Sequence, residues 1–200
     1  MAFPASTTRM SYEEYLALEA ASEIRHEFLN GDVWAMSGGT LEHGALAAAV
    51  IRHLGNALDG KPCRVFTADV RVRVLATGLS TYPDVSVVCG TVETAAEDPH
   101  AITIPIVLVE VLSDSTEAYD RGAKAAHYRR LPSLQAYVFL SQAEPRIEVF
   151  RRTAEDRWEL MEARVGERAD IAPLAIVLDV NAIYANPLAG VTFGPPAPAL

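Results

Sequence analysis

The sequence has little positive charge and, in particular, very little lysine. Its 200 residues carry 17 lysines and arginines against 26 aspartates and glutamates, a net charge of −9 at pH 7. Only Lys61 and Lys124 are lysines. A basic footprint is the usual mark of a nucleic-acid-binding protein. Any contact with DNA must therefore come from a local patch, helped by metal ions that offset the acids.

Long hydrophobic runs, cysteine motifs and phosphate-binding glycine patterns are also missing. No run spans a bilayer and residues 1–10 lack a signal peptide's apolar stretch, so the sequence predicts a cytoplasmic protein with no membrane partner. The two cysteines, Cys63 and Cys89, are too few for a metal site and are predicted to be small apolar core residues. P-loop, Rossmann and nucleophile-elbow patterns are absent, which excludes the enzyme classes built on them.

The composition predicts one α/β domain. Half of the residues are apolar, enough for a sizeable core, and no shift in composition suggests a second domain. We expect the domain to cover residues 1–188. The remaining residues, 189–200, are rich in proline and glycine and are predicted to form a mobile tail.

Hydrophobic periodicity and turn residues predict helices and strands in alternation. Helices are predicted at 11–20, with a capping box of Ser11 and Glu14, and at 41–58, 114–130 and 180–185. Strands are predicted at 24–29, 32–36, 63–68, 70–75, 82–89, 102–112, 135–140 and 146–151, with 158–160 continuing the sheet. Asn30-Gly31 predicts a tight hairpin, and the polar stretch 90–101 predicts a loop.

Two acidic residues stand out against apolar strands. Glu110 lies inside the run 104–112, and Asp84 follows Pro83 at the head of another strand. If these strands pair antiparallel across residues 90–101, the hairpin centre falls close to the midpoint of the two acids, which sets them side by side.

A charge in a buried strand is costly unless it is paired or binds metal, which favours a functional role for Glu110. Alternatively, Glu110 is a solvent-exposed carboxylate at the end of its strand and pairs with an arginine. For Asp84 alone, a role in opening a turn explains the residue as well.

Lys124 lies on the predicted helix that leaves the strand of Glu110. In isolation it predicts a surface ion pair with Asp120, worth about 0.3–0.5 kcal/mol. However, the helix follows directly after the strand that carries Glu110. This favours the alternative, in which Lys124 lies beside Asp84 and Glu110. Lys61 lies in a turn and is predicted to be solvated.

The five histidines show no close spacing typical of a metal site. They are interpreted as surface or core residues: His26, His43, His53, His100 and His127.

In this order, several short motifs resemble the PD-(D/E)XK restriction-endonuclease-like superfamily, and more closely its Uma-type putative restriction endonucleases. The resemblance covers roughly residues 10–187. It rests on Arg25-His26-Glu27-Phe28-Leu29-Asn30-Gly31, His43, Tyr82-Pro83-Asp84-Val85, Glu110-Val111-Leu112-Ser113, Tyr119-Asp120-Arg121-Gly122-Ala123-Lys124 and Tyr137.

The resemblance implies roles for four residues. Asp84 is the first metal-binding acid and Glu110 the second, while Glu27 resembles an upstream acid that completes the metal site. An ion pair between Glu27 and Arg25 or a neighbouring strand is the alternative. The superfamily places its lysine two residues after the second acid, where this chain has Leu112, so Lys124 is the expected substitute.

The implied fold is a central mixed sheet flanked by helices, and the implied function is Mg²⁺-dependent hydrolysis of DNA, with Mn²⁺ as a substitute. Lys124 would orient the attacking water or stabilise the phosphate. Arg121, Arg129 and Arg130 are candidates for contacts with the DNA backbone.

Two alternatives remain open. One is a catalytically silent binding or scaffold protein of the same fold, a homodimer, which fits the acidity better. The other is a metal-dependent hydrolase of smaller phosphate esters.

Overall fold

The computed structural model describes residues 9–36 and 38–185, so the predicted tail at 189–200 lies outside the described residues. The helices are α1 (Tyr12–Ala21), α2 (Leu41–Ala57), α3 (Glu117–Tyr119), α4 (Ala125–Tyr128) and α5 (Val180–Ile183). A π-helical turn, Asp120–Lys124, joins α3 to α4, and a 3-10 turn spans Ala172–Leu174.

The strands form two six-stranded sheets and a separate hairpin. They are β1 (His26–Leu29), β2 (Asp32–Ala35), β3 (Cys63–Thr67), β4 (Arg71–Val74), β5 (Leu79–Thr81), β6 (Val85–Cys89), β7 (Thr94–Ala95), β8 (Asp98–Ile102), β9 (Val107–Leu112), β10 (Ala136–Ser141), β11 (Arg146–Arg152), β12 (Trp158–Arg164), β13 (Arg168–Ile171) and β14 (Ile176–Asp179).

The central sheet has the order β12-β11-β10-β9-β6-β3 and is mixed. Its β9 and β10 are parallel, whereas β9 and β6 run antiparallel. The second sheet has the order β2-β1-β5-β4-β8-β7, and β13 pairs with β14 alone. The predicted α/β fold, a mixed sheet flanked by helices in a single domain, is confirmed, and the second sheet is an addition to it.

The core lies on both faces of the central sheet. On one face, Val85 and Val109 pack in a cluster with Leu46 and Val50 of α2. On the other, Leu108 packs in a cluster with residues such as Tyr128 and Phe139. Since successive side chains of a strand point to opposite faces, β9 is buried along its whole length. Glu110 therefore occupies a position that the fold otherwise fills with apolar side chains.

Local sequence signals account for the ends of several elements. Ser11 and Glu14 form the predicted capping box of α1. Thr40 caps α2 by accepting a hydrogen bond from the backbone N–H of His43 at 3.1 Å. Asn30 and Gly31 adopt φ values of 51° and 101°, the left-handed conformation that a tight hairpin needs.

The region from 79 to 112 differs from the prediction. The expected loop at 90–101 contains β7 and most of β8, and β8 joins the second sheet by pairing parallel with β4. The expected strand at 102–112 is two strands, because the chain leaves the second sheet after Ile102 and enters the central sheet at Val107. The expected strand at 82–89 begins only at Val85, as β6 of the central sheet, and β5 of the second sheet was not predicted.

The expected helix at 114–130 is shorter and irregular. It begins after Thr116, which makes no side-chain cap, so the predicted cap at Asp114 is wrong. Its middle turn, Asp120–Lys124, is π-helical. The hairpin β13–β14 was not predicted, whereas the last helix lies at Val180–Ile183, close to its expected place.

The interpretation of the two cysteines as plain core residues is wrong, because Cys63 and Cys89 form a disulfide. They face each other directly across β3 and β6 and are only partly buried. No helix in the described ranges is long and apolar enough to cross a bilayer.

The disulfide should stabilise the central sheet measurably. It closes a loop with a sequence separation of 26 residues, which in the chain-entropy view contributes on the order of 3 kcal/mol. Cys63→Ser should therefore lower the denaturation midpoint in an oxidising buffer. Cys89→Ser should show the same loss, since either change removes the same bond. A wild-type midpoint that does not respond to reductant would contradict the assignment.

Candidate active site

The strand register places the two sequence-predicted acids opposite each other. In the β6–β9 ladder, Val85 pairs with Val109 and Val87 with Val107. The same register sets Asp84 against Glu110, one residue beyond the last observed pair. Oδ2 of Asp84 accepts a hydrogen bond from the backbone N–H of Val111 at 2.7 Å, which ties the acid to β9. The predicted antiparallel pairing is confirmed.

Lys124 lies at the centre of the site. Its Nζ is 2.7 Å from Oε1 of Glu110, 3.3 Å from Oδ1 of Asp120 and 3.5 Å from Oε1 of Glu27. All four side chains are buried, with only 5–6% of their surface exposed. The structure therefore brings Lys124 to Glu110 and Glu27, and the surface ion pair expected from the sequence alone is wrong.

Asp120 and Lys124 lie four residues apart on a π-helical turn, so they share one face of the helix, and that face is buried. A π-helix is wider than an α-helix and occurs often at functional sites. Here it spans the five residues from Asp120 to Lys124, directly after the short helix that follows β9. Asp120 is the residue that the sequence analysis missed as a member of the site, because an Asp–Lys pair at this spacing is typical of an exposed helix face.

Glu27 is held by neutral donors as well as by Lys124. Its Oε2 accepts hydrogen bonds from Nε1 of Trp34 and the hydroxyl of Tyr119, each at 3.1 Å, and its Oε1 accepts from the hydroxyl of Thr81. The alternative ion pair with Arg25 does not form, because Arg25 pairs with Asp69. Glu27 thus belongs to the cluster around Lys124.

The electrostatics of the cluster follow from one cation among several buried acids. Burial raises the pKa of Glu110 well above its usual range; repulsion from Asp120 and Asp84 adds to this, and the charge of Lys124 opposes it. Burial alone would lower the pKa of Lys124, but nearby negative charges, led by Glu110, raise it well above the usual value. Lys124 therefore holds its proton, and burial favours the protonated form of Glu110.

His43 is the second residue that the sequence analysis misjudged. It is neither a plain surface nor a core histidine, because its Nε2 lies 3.1 Å from Oδ2 of Asp84. That hydrogen bond raises the pKa of the imidazole. The signal in the sequence was indirect: Thr40 caps α2, and His43 follows in its first turn.

The three arginines proposed for DNA contacts have different surroundings. Arg121 bridges Glu117, at 2.7 Å, and Glu148, so its charge is already paired. Arg129 and Arg130 are exposed at the end of α4. Lys61 is exposed, as predicted.

Asp84 and Glu110 have the donor chemistry of a magnesium site. The contacts to Asp84 fall on Oδ2, and those to Glu110 from Lys124 and Tyr128 fall on Oε1. Oδ1 and Oε2 carry none of these contacts. Mg²⁺ commonly binds one or two carboxylates and keeps several waters. Within residues 9–36 and 38–185, no three His, Cys, Asp or Glu side chains are arranged as a metal cage, so a two-carboxylate site is the one that fits.

Known proteins are similar to this chain over most of its length, including the site. A model of the Uma2 family, described as "Putative restriction endonuclease", matches residues 12–181. "Uncharacterized protein slr1290" of Synechocystis is 32% identical over 176 residues, covering 88% of this chain and 92% of the relative. "Uncharacterized protein sll1609" of the same organism is 29% identical over 167 residues, covering 84% and 94%.

A solved structure has the same fold. The crystal structure of "a putative nuclease belonging to DUF820" from Anabaena variabilis matches with a TM-score of 0.72. It covers 88% of this chain and 98% of its own, at 16% sequence identity.

The excess of acid around Lys124 predicts an unusual effect on stability. Glu110→Gln removes one negative charge with almost no change of shape. The native state holds a proton on Glu110 at pH values where the unfolded chain releases it, so wild type loses stability as pH rises from about 4.5 towards the raised native pKa. The variant lacks this loss. At pH 7 in chelator its melting temperature should therefore equal or exceed that of wild type. Below pH 4 this advantage should disappear, because Glu110 is protonated in both the native and the unfolded wild-type chain.

Glu148→Gln is the matched control. Glu148 is equally buried, but its oxygens pair with Arg121 and Arg146, so it is a balanced acid. Its removal should cost about 1–3 kcal/mol at pH 7. If Glu110→Gln is destabilised as much as Glu148→Gln, Glu110 is an ordinary structural partner.

Proposed function

Because the chain belongs to the Uma2 family of putative restriction endonucleases, we propose that it is a metal-dependent nuclease that hydrolyses phosphodiester bonds in DNA. One observation carries the proposal. Asp84 and Glu110 face each other across β6 and β9, and Nζ of Lys124 lies 2.7 Å from Glu110. Two acids and a lysine at one end of a mixed sheet are the groups that this reaction needs.

Asp84 and Glu110 are the proposed ligands of Mg²⁺, with Mn²⁺ as a substitute. When bound, such an ion lowers the pKa of a coordinated water and offsets charge on the phosphate. Glu27 is the proposed third acid. Its two oxygens already accept hydrogen bonds from Thr81, Trp34 and Tyr119, so it joins the ion only by releasing one of them.

Lys124 is the proposed electrostatic partner of the phosphate. Its positive charge is fixed in place by Glu110, Asp120 and Glu27, and it therefore needs no rearrangement when charge develops on the phosphate oxygens. Its low exposure strengthens this effect, because a site shielded from water screens the charge less. Arg129 and Arg130, both exposed, are the proposed contacts with the DNA backbone.

Two further functions are each favoured by one observation. The charge of Lys124 is already matched by buried carboxylates, as in a structural polar core, which favours a catalytically silent scaffold protein acting as a homodimer. Alternatively, Asp84 and His43, with 15% and 21% of their side chains exposed, are more open than the buried cluster. Because the cluster around Lys124 is buried, this difference in exposure favours a smaller phosphate ester, and the preference between plasmid DNA and a small phosphodiester distinguishes the two hydrolases.

Plasmid nicking should require a divalent ion. Supercoiled plasmid incubated with the protein should become nicked in Mg²⁺ or Mn²⁺, only slowly in Ca²⁺, and not at all in excess chelator, because the acids are oxygen ligands. Gel electrophoresis measures the product. Cleavage that survives thorough removal of metal would contradict the proposed mechanism, and the absence of both cleavage and ion binding would favour the scaffold protein.

Lys124→Ala should abolish cleavage without abolishing ion binding. The change removes the positive charge assigned to the phosphate, while Asp84 and Glu110 keep their oxygens. Binding of Mn²⁺, measured by calorimetry, should be equal to or tighter than in wild type, because three carboxylates lose their cation. Lys61→Ala is the control and should cleave normally, since Lys61 is exposed in a turn. Normal cleavage by Lys124→Ala would remove the lysine from the mechanism.

A further inference from the structure

We propose that His43 is a positioning residue that fixes the Asp84 carboxylate for cation binding, an inference that rests on the proposed function. Two donors reach the same oxygen of Asp84. Nε2 of His43 lies 3.1 Å from Oδ2, and the backbone N–H of Val111 lies 2.7 Å from it. One donor comes from α2 and the other from β9, so the carboxylate is held between two elements. Oδ1 is left as the oxygen for the ion.

A closed ring of hydrogen bonds holds His43 in this place. The backbone N–H of His43 donates to Oγ1 of Thr40, and that hydroxyl donates to Oε1 of Gln142 at 2.8 Å. Nε2 of Gln142 then donates to the carbonyl of Leu112 at 2.8 Å. Leu112 follows Val111 in β9. The backbone N–H of Val111 donates to Oδ2 of Asp84, which closes the ring. The start of α2 is thus tied to the strand that carries Glu110.

Gly39 provides a second, independent observation. A Cβ atom built on Gly39 would lie 2.8 Å from Nδ1 of His43, closer than real contacts allow. The backbone of residue 39 therefore lies beside Nδ1 of the imidazole, whereas the other ring nitrogen, Nε2, contacts Asp84. A side chain at this position would push the imidazole, and this offers a way to disturb His43 without replacing it.

The geometry assigns a role distinct from simple ion pairing. His43 and Asp84 are partly exposed, and the contribution of an ion pair to stability falls as its exposure to solvent rises. Hydrogen bonds to a ligating carboxylate, by contrast, are worth about 10–100-fold in metal affinity. The expected effect of losing His43 is therefore on ion binding more than on folding.

The test compares three variants in Mn²⁺ calorimetry, with thermal melting as the check on folding. His43→Ala should weaken Mn²⁺ binding by about tenfold or more. His43→Gln, whose amide N–H replaces the Nε2 donor, should restore affinity to within about threefold of wild type. Gly39→Ala should weaken binding in the same direction as His43→Ala. His100→Ala is the control and should bind as wild type, because His100 is exposed in the second sheet.

The outcomes separate this inference from the proposed function. Wild type that neither binds Mn²⁺ nor cleaves DNA would overturn the function itself. Wild type that does both, with His43→Ala unchanged, would overturn only the role of His43. Equal losses in His43→Ala and His43→Gln would also overturn it, since donation of a hydrogen bond is the claim. If His43→Ala does not fold, Gly39→Ala decides: unchanged affinity overturns the inference and reduced affinity supports it.

Discussion

The ammonium group of Lys124, enclosed by carboxylates and shielded from water, is the interaction on which the site depends. Removing any charge from water is costly, and it is tolerated only where opposite charges and hydrogen bonds replace the solvent. Glu110, Asp120 and Glu27 supply those charges. Three acids against one lysine leave an excess of acidic groups, and we attribute the proposed binding of a divalent cation to this excess.

The fold brings these groups together from three separate elements. Glu110 comes from β9, Glu27 from the β1–β2 hairpin in the second sheet, and Lys124 and Asp120 from the π-helical turn. Asp84 and the start of α2 complete the site. The central sheet is covered by apolar side chains on both faces, so β9, which carries Glu110, is packed on both sides.

The sequence predicted the parts of this arrangement that depend on local pattern and register. Apolar alternation and the Asp84–Glu110 midpoint were enough to pair β6 with β9, although the connection between them was not the predicted loop. Residues 90–101 looked like a loop because they are polar, but β8 gains its stability from pairing with β4, which is distant in sequence.

The contacts of Lys124 and His43 were not predictable from the sequence, because they depend on how helices pack on the sheets. The spacing of Asp120 and Lys124 fits one exposed face of a helix, and only the contacts of that face with Glu110 in the central sheet and Glu27 in the second sheet bury it. His43 contacts Asp84 only because α2 packs on the central sheet, and Cys63 meets Cys89 only in the β3–β6 ladder. Pairings of this kind are set by tertiary packing, which a single sequence does not encode as a local signal.

The central claim is that Asp84 and Glu110 share a divalent ion beside Lys124. Its most direct test is a crystal of the wild-type protein grown with Mn²⁺ and measured at a wavelength where manganese scatters anomalously. The account predicts an anomalous peak between the two acids, at a distance from one oxygen of each that is close to the roughly 2.0–2.1 Å typical of Mg²⁺, with Nζ of Lys124 beside it. A site without this peak, at Mn²⁺ concentrations that support cleavage, would contradict it.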